Sequence, residues 1–80
     1  MNLKKSQSYI ELTVINWDNT EFGSRLWEMC EAAKEYENDH VEVHQVVNLG
    51  KRKGELHYLI ILNISQDLDN LGALVENNYR

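Results

Sequence analysis

Polar and apolar positions along the chain fall into blocks of two different periods. The block at 56–64, Leu-His-Tyr-Leu-Ile-Ile-Leu-Asn-Ile, is the only one apolar on both alternating faces. Leu56, Tyr58, Ile60, Leu62 and Ile64 share one face at period two, while Leu59 and Ile61 place hydrocarbon on the other. A strand with water on one side alternates more cleanly than this, so the pattern predicts a central strand. Two other stretches also alternate. Over 9–17, Ile10, Leu12 and Val14 lie on one side and Tyr9, Glu11, Thr13, Ile15 and Trp17 on the other, with many β-branched and aromatic residues. Over 40–49, Val41, Val43, Val47 and Leu49 oppose Glu42, His44, Val46 and Asn48, with Gln45 a polar intruder among the apolar set. The segment 50–54, Gly-Lys-Arg-Lys-Gly, joins this strand to the central one, and its two glycines signal a hairpin with a short turn or a bulge. Pairing Val43 near Leu62 and Val41 near Ile64 brings the apolar faces together.

The period changes between the first two strands. Asp18, Asn19 and Thr20 are competent helix N-caps, and Glu21 puts negative charge at the positive end of the helix dipole. Phe22, Leu26, Met29, Cys30 and Ala33 then recur as one stripe of a helix that ends near Asn38 and Asp39. Gly23 is its weak point: if it lies in the loop, Ser24 becomes the cap and the helix starts a turn later. A second helix is expected after Ile64. Ser65 is a good cap, Asp67 and Asp69 supply early negative charge, and Leu68, Leu71, Gly72 and Val75 form a stripe.

The order is therefore β-α-β-β-α, the α+β class. The first helix makes a long, right-handed crossover between strands one and two, which are then parallel, and the hairpin sets strands two and three antiparallel. With the most apolar strand in the middle, the fold is a two-layer sandwich: a three-stranded sheet of order 1-3-2 with both helices on one face. The other face would display Tyr9, Thr13, Ile15, Trp17, His44, Val46, His57, Leu59 and Ile61, a set too apolar to suit a solvated surface. A second copy or a protein partner is expected to cover it, with Ile15, Trp17, Val46, Leu59 and Ile61 in contact.

Size sharpens that expectation. Eighty residues make a single domain, 1–80, with 1–8 read as a flexible polar N-terminal segment. At this size folding buries only about 60% of the unfolded chain's surface, so self-association would help, and a homodimer is expected. One cysteine, Cys30, cannot form an internal disulfide. With no signal-peptide or membrane-span pattern, this points to a soluble cytoplasmic protein that does not enter membranes.

The net charge of −5 argues against general nucleic-acid binding, which needs a dense basic surface. The basic residues gather at Lys4-Lys5 and at Lys51-Arg52-Lys53, whereas Glu28, Glu31 and Glu35 sit among the acids of the first half. On a helix those three carboxylates would form a row able to compete for the basic groove of a nucleic-acid-handling protein. Chemistry-bearing patterns are sparse. His40 and His44 are four apart, but on a strand that separation is about 13 Å, too far to share an ion. Cys30 on the helix's inner stripe reads as a small hydrophobe rather than a nucleophile. The chain carries no phosphate-binding glycine loop, Cys-x-x-Cys pair or Ser-His-Asp arrangement, and neither a metal nor another cofactor is expected.

These features predict a non-enzymatic protein-binding module, an inhibitor or regulator that occludes its partner. In being short, acidic, single-domain and free of motifs, the chain resembles as a class the small inhibitors encoded by phages and mobile elements, including the anti-CRISPR proteins. The alternative is a dimeric nucleic-acid-binding regulator that presents Lys51, Arg52 and Lys53 at paired hairpin tips.

Overall fold

The computed structural model describes residues 2–15 and 19–75. Its elements run β1 (Leu3–Val14), α1 (Asn19–Ala32), β2 (His40–Arg52) and β3 (Glu55–Asp67). The sheet has the order β1-β3-β2, with the two-sided apolar strand in the middle as its pattern requires. Both flanking strands run antiparallel to β3 and therefore parallel to each other. The expected pairs Val43 with Leu62 and Val41 with Ile64 are in register.

The core lies on one face. Leu12, Val14, Ile60 and Leu62 are buried there, and Phe22, Leu26, Met29, Cys30 and Ala33 of the helical stripe pack against them. At the start of α1 the Phe22 ring meets Tyr58 edge-on, with centroids 5.3 Å apart. α1 has more of its backbone near β2 than near the other strands. With a helix on one face of an antiparallel sheet the molecule is α+β, and it is elongated, 47 × 22 × 18 Å.

Four expectations are corrected. The polar segment 1–8 is not a tail from residue 3 onward, because β1 begins at Leu3 and pairs with β3 from Leu3↔Asp67 to Val14↔Leu56. Strand pairing satisfies backbone groups without asking for apolar side chains. The helix ends at Ala32 rather than near Asn38. The chain then turns around Asp39, whose Oδ2 accepts the N–H groups of Glu35 (2.8 Å) and Tyr36 (2.9 Å).

The second helix is absent over 65–75. Ser65 and Asp67 are strand residues, since β3 stays flanked by β1 and β2 as far as Ser65, which pairs with Lys5 on one side and His40 on the other. Asp67 then builds a turn instead of a helix: its Oδ1 accepts the Asp69 N–H (3.0 Å) and its carbonyl accepts that of Asn70 (3.2 Å). Residues beyond the turn pair with the helix exit. Glu37 N–H donates to the Ala73 carbonyl and Val75 N–H to that of Glu35. Gly72 permits this approach, since an added Cβ would fall 2.9 Å from Asn38 atoms.

The fourth correction concerns β2. The register shifts between Val43 and Gln45 and again between Asn48 and Gly50. One extra residue exchanges the two faces of the strand downstream. Gln45 and Val47 therefore stand opposite Ile61 and Leu59, and Val46 stands opposite Ile60 on the helix side. The misplaced Gln45 is resolved by a bulge at His44. The hairpin closes through Lys53 and Gly54, both at positive φ (52° and 81°), between the paired Arg52 and Glu55. This two-residue turn, with left-handed conformation at both positions, matches the strand twist.

Candidate protein-interaction surface

Alternation along β1 and β3 decides what the face opposite the core carries. Pairs Lys5↔Ser65, Gln7↔Asn63, Tyr9↔Ile61, Glu11↔Leu59 and Thr13↔His57 all lie on it, joined from β2 by Glu42, Gln45 and Val47. The described segments that pack on the sheet, α1 and the 35–39 turn, lie on the other side, over Ile60, Leu62 and Gln66. The open face divides along its length. Toward the start of β1 it is polar: Gln7 Nε2 donates to Asn63 Oδ1 and the Tyr9 hydroxyl donates to Gln7 Oε1, both at 2.8 Å. A shallow concavity of 540 Å³ lies here, lined in part by Lys5, Gln7, Tyr9, Glu42 and Asn63. Toward the middle it is apolar, with Tyr9 62% exposed and Ile61, Leu59 and Val47 half-buried. Beyond them the His57 ring lies within 3.4 Å of both Thr13 Oγ1 and Glu11 Oε1.

The expected contact residues separate. Leu59 and Ile61 are brought together on the open face. Ile15 is 71% exposed just beyond the end of β1, and Trp17 lies outside the described residues. Val46 belongs to the helix side, because the bulge at His44 turned it there. The row of carboxylates is not formed. Glu28 is exposed on α1, Glu31 is bound by Lys34 Nζ at 3.0 Å, and Glu35 lies past the helix end, where its Oε2 accepts Gln66 Nε2 at 3.2 Å.

Lys51 and Arg52 complete β2 and Lys53 sits in the turn, all exposed. Lys4 and Lys5 pair with Gln66 and Ser65, at the opposite end of β3 from Glu55. At about 3.3 Å per residue the two basic groups are some 35 Å apart, so within one copy they make no joint footprint.

Two positions escaped the sequence reading. Val47 joins the open face, and Gln45, wrong for the core, was its signal. Trp27, 61% exposed, flanks a groove of 360 Å³ between α1 and β2 with Leu26, Cys30, Val41 and Val43. It lies one position off the Phe22-Leu26-Cys30 stripe, on the side facing β2. Burial, and then the nearby Glu31 carboxylate, push the Cys30 thiol pKa up against the pull of Lys34, which keeps it protonated and unreactive at neutral pH. Among the described residues no group of three or more His, Cys, Asp or Glu is placed to hold a metal ion, and no helix is long and apolar enough to cross a membrane.

The chain matches no family model, no curated protein and no solved structure.

Proposed function

We propose that the chain is a non-enzymatic protein-binding module that acts by covering part of its partner, in the manner of the small acidic inhibitors of phages and mobile elements. The observation that carries this reading is the apolar centre of the open sheet face, Tyr9 beside Ile61 with Leu59 and Val47 next to it, over which none of the described packing segments lies. A sheet face bearing an aromatic anchor and a polar rim is suited to contact another protein surface. The two concavities sit on open surfaces, and the described thiol is held in its protonated form, which supports binding over catalysis. A soluble, cytoplasmic setting suits the free cysteine and the net charge of −5.

The test is affinity capture from the source cell with the full chain, run beside a Tyr9→Ala/Leu59→Ala variant whose fold is checked by circular dichroism. Specific protein capture by the wild type, lost in the variant and kept when Lys51, Arg52 and Lys53 are all changed to Glu, is the expected result. Capture unaffected by the double substitution overturns the reading. So does recovery of nucleic acid that disappears on reversing the tip charges.

A further inference from the structure

The two edges of the sheet are built differently. β2 carries two bulges, at His44 and Leu49, which break the regular spacing of its outward backbone groups and so protect it from adding another strand. β1 pairs without a break from Leu3 to Val14 and contains no proline, so its other side offers a straight row of N–H and C=O groups to a further strand. Among the described residues α1 has more of its backbone near β2, on the far side of the sheet, than near β1.

The charges on β1 suggest what pairs there. In an antiparallel pair within one continuous sheet, directly opposite residues point to the same face, so a two-fold axis through an edge can bring together only residues of like parity. With the axis at Ser8, Lys5 of each copy faces Glu11 of the other, Gln7 faces Tyr9, and Ser8 meets its own counterpart. Both Lys5 and Glu11 point to the open face and are exposed, Glu11 with 63% of its side chain. The Glu11 carboxylate touches His57 through Oε1, which leaves its second oxygen for an ammonium. Neighbouring registers lose this match: one sets Lys5 against Tyr9 and Glu11 against Leu3, the other sets Lys5 against Thr13 and Glu11 against Gln7. Edge lysines ordinarily discourage strand addition, and here they make it selective for a single register.

We propose that a second copy of this chain adds antiparallel to the β1 edge, with Lys5 and Glu11 paired twice across a two-fold axis at Ser8. The product is one six-stranded sheet with both helices on the same side. The occupant of the β1 edge is thus specified independently of whatever meets the open face, and the dimer stands or falls without that reading.

Sedimentation of the full chain over a range of concentrations in low salt tests the proposal. The wild type is expected to reach twice the 9.4 kDa of one chain. Lys5→Glu alone and Glu11→Lys alone each set like charges opposite one another at two places, and each is expected to weaken the dimer about tenfold. The double reversal is expected to restore it. A wild type that stays monomeric overturns the proposal, as does a dimer indifferent to the single reversals or a double variant no tighter than the singles. Amide exchange on the unmodified chain gives a second readout that does not depend on variants folding. Alternate N–H groups of β1 should gain protection as concentration rises, and protection gained on β2 instead overturns the pairing.

Discussion

Gly23 shows how a single residue can leave a boundary open in the sequence and closed in the structure. Cap candidates stand on both sides of it, so local propensity allows a helix starting either at Asn19 or after Ser24. The structure takes the earlier start, and the Phe22 ring, lodged against Tyr58, holds that first turn on the sheet. Gly23 then lies inside α1 without positive φ, and an added Cβ would meet nothing within 4 Å. Gly23→Ala should therefore raise unfolding stability by about 0.5–1 kcal/mol, read from urea denaturation. A loss of stability would mean that the helix begins after this position. Lys53 shows the opposite economy, holding a left-handed conformation (φ 52°) that glycine or asparagine accepts more readily, because the tight turn requires it.

At the scale of elements, most of the sheet was legible. The two-sided run placed β3 in the middle, and its hydrophobic face set the register with Val41 and Val43. The stripe of α1 was legible for the same reason, since periodicity reports burial directly. What stayed hidden has one main cause. β3 runs on to Asp67, and that extension turns the polar segment from residue 3 into its partner while overriding the helix signal at Ser65. Long-range pairing decided both ends, and neither shows in a local window. Removing residues 1–8 consequently tests more than a tail. The truncated chain is expected to lose about 6 kcal/mol of stability, counting roughly 1 kcal/mol for each hydrogen bond of the Leu3–Ser8 ladder, and to lose exchange protection over 62–67. Unchanged stability and protection would show that the polar half of β1 contributes nothing.

At the scale of the whole molecule, the end of the elongated sheet away from the hairpin is closed by polar contacts rather than by a core, and Asp39 is their centre. Only 5% exposed, it joins the helix exit to β3: Gln66 Nε2 donates to its Oδ2 at 3.1 Å, beside the N–H groups of Glu35 and Tyr36. Burial alone would raise its pKa, but the hydrogen bonds from Tyr36, Glu35 and Gln66, aided by the Lys34 charge, outweigh it and hold the carboxyl below its ordinary value of 3.8. Because the folded state binds this proton less readily than the unfolded chain, the carboxylate's stabilisation is complete well above pH 3.8. It is lost as the pH falls through that value toward the lower folded one. Asp39→Asn should then cost about 1–3 kcal/mol at neutral pH, since a charged acceptor of three donors is replaced by a neutral amide. The gap between the two proteins should close as the pH drops below 3.8, because protonation removes from the wild type what the substitution removed from the variant. Other carboxylates titrate in both proteins and cancel in the difference. Parallel urea curves for wild type and variant across that range check the sign, and a gap that stays constant or widens in acid would show that Asp39 does not hold this end of the sheet through its charge.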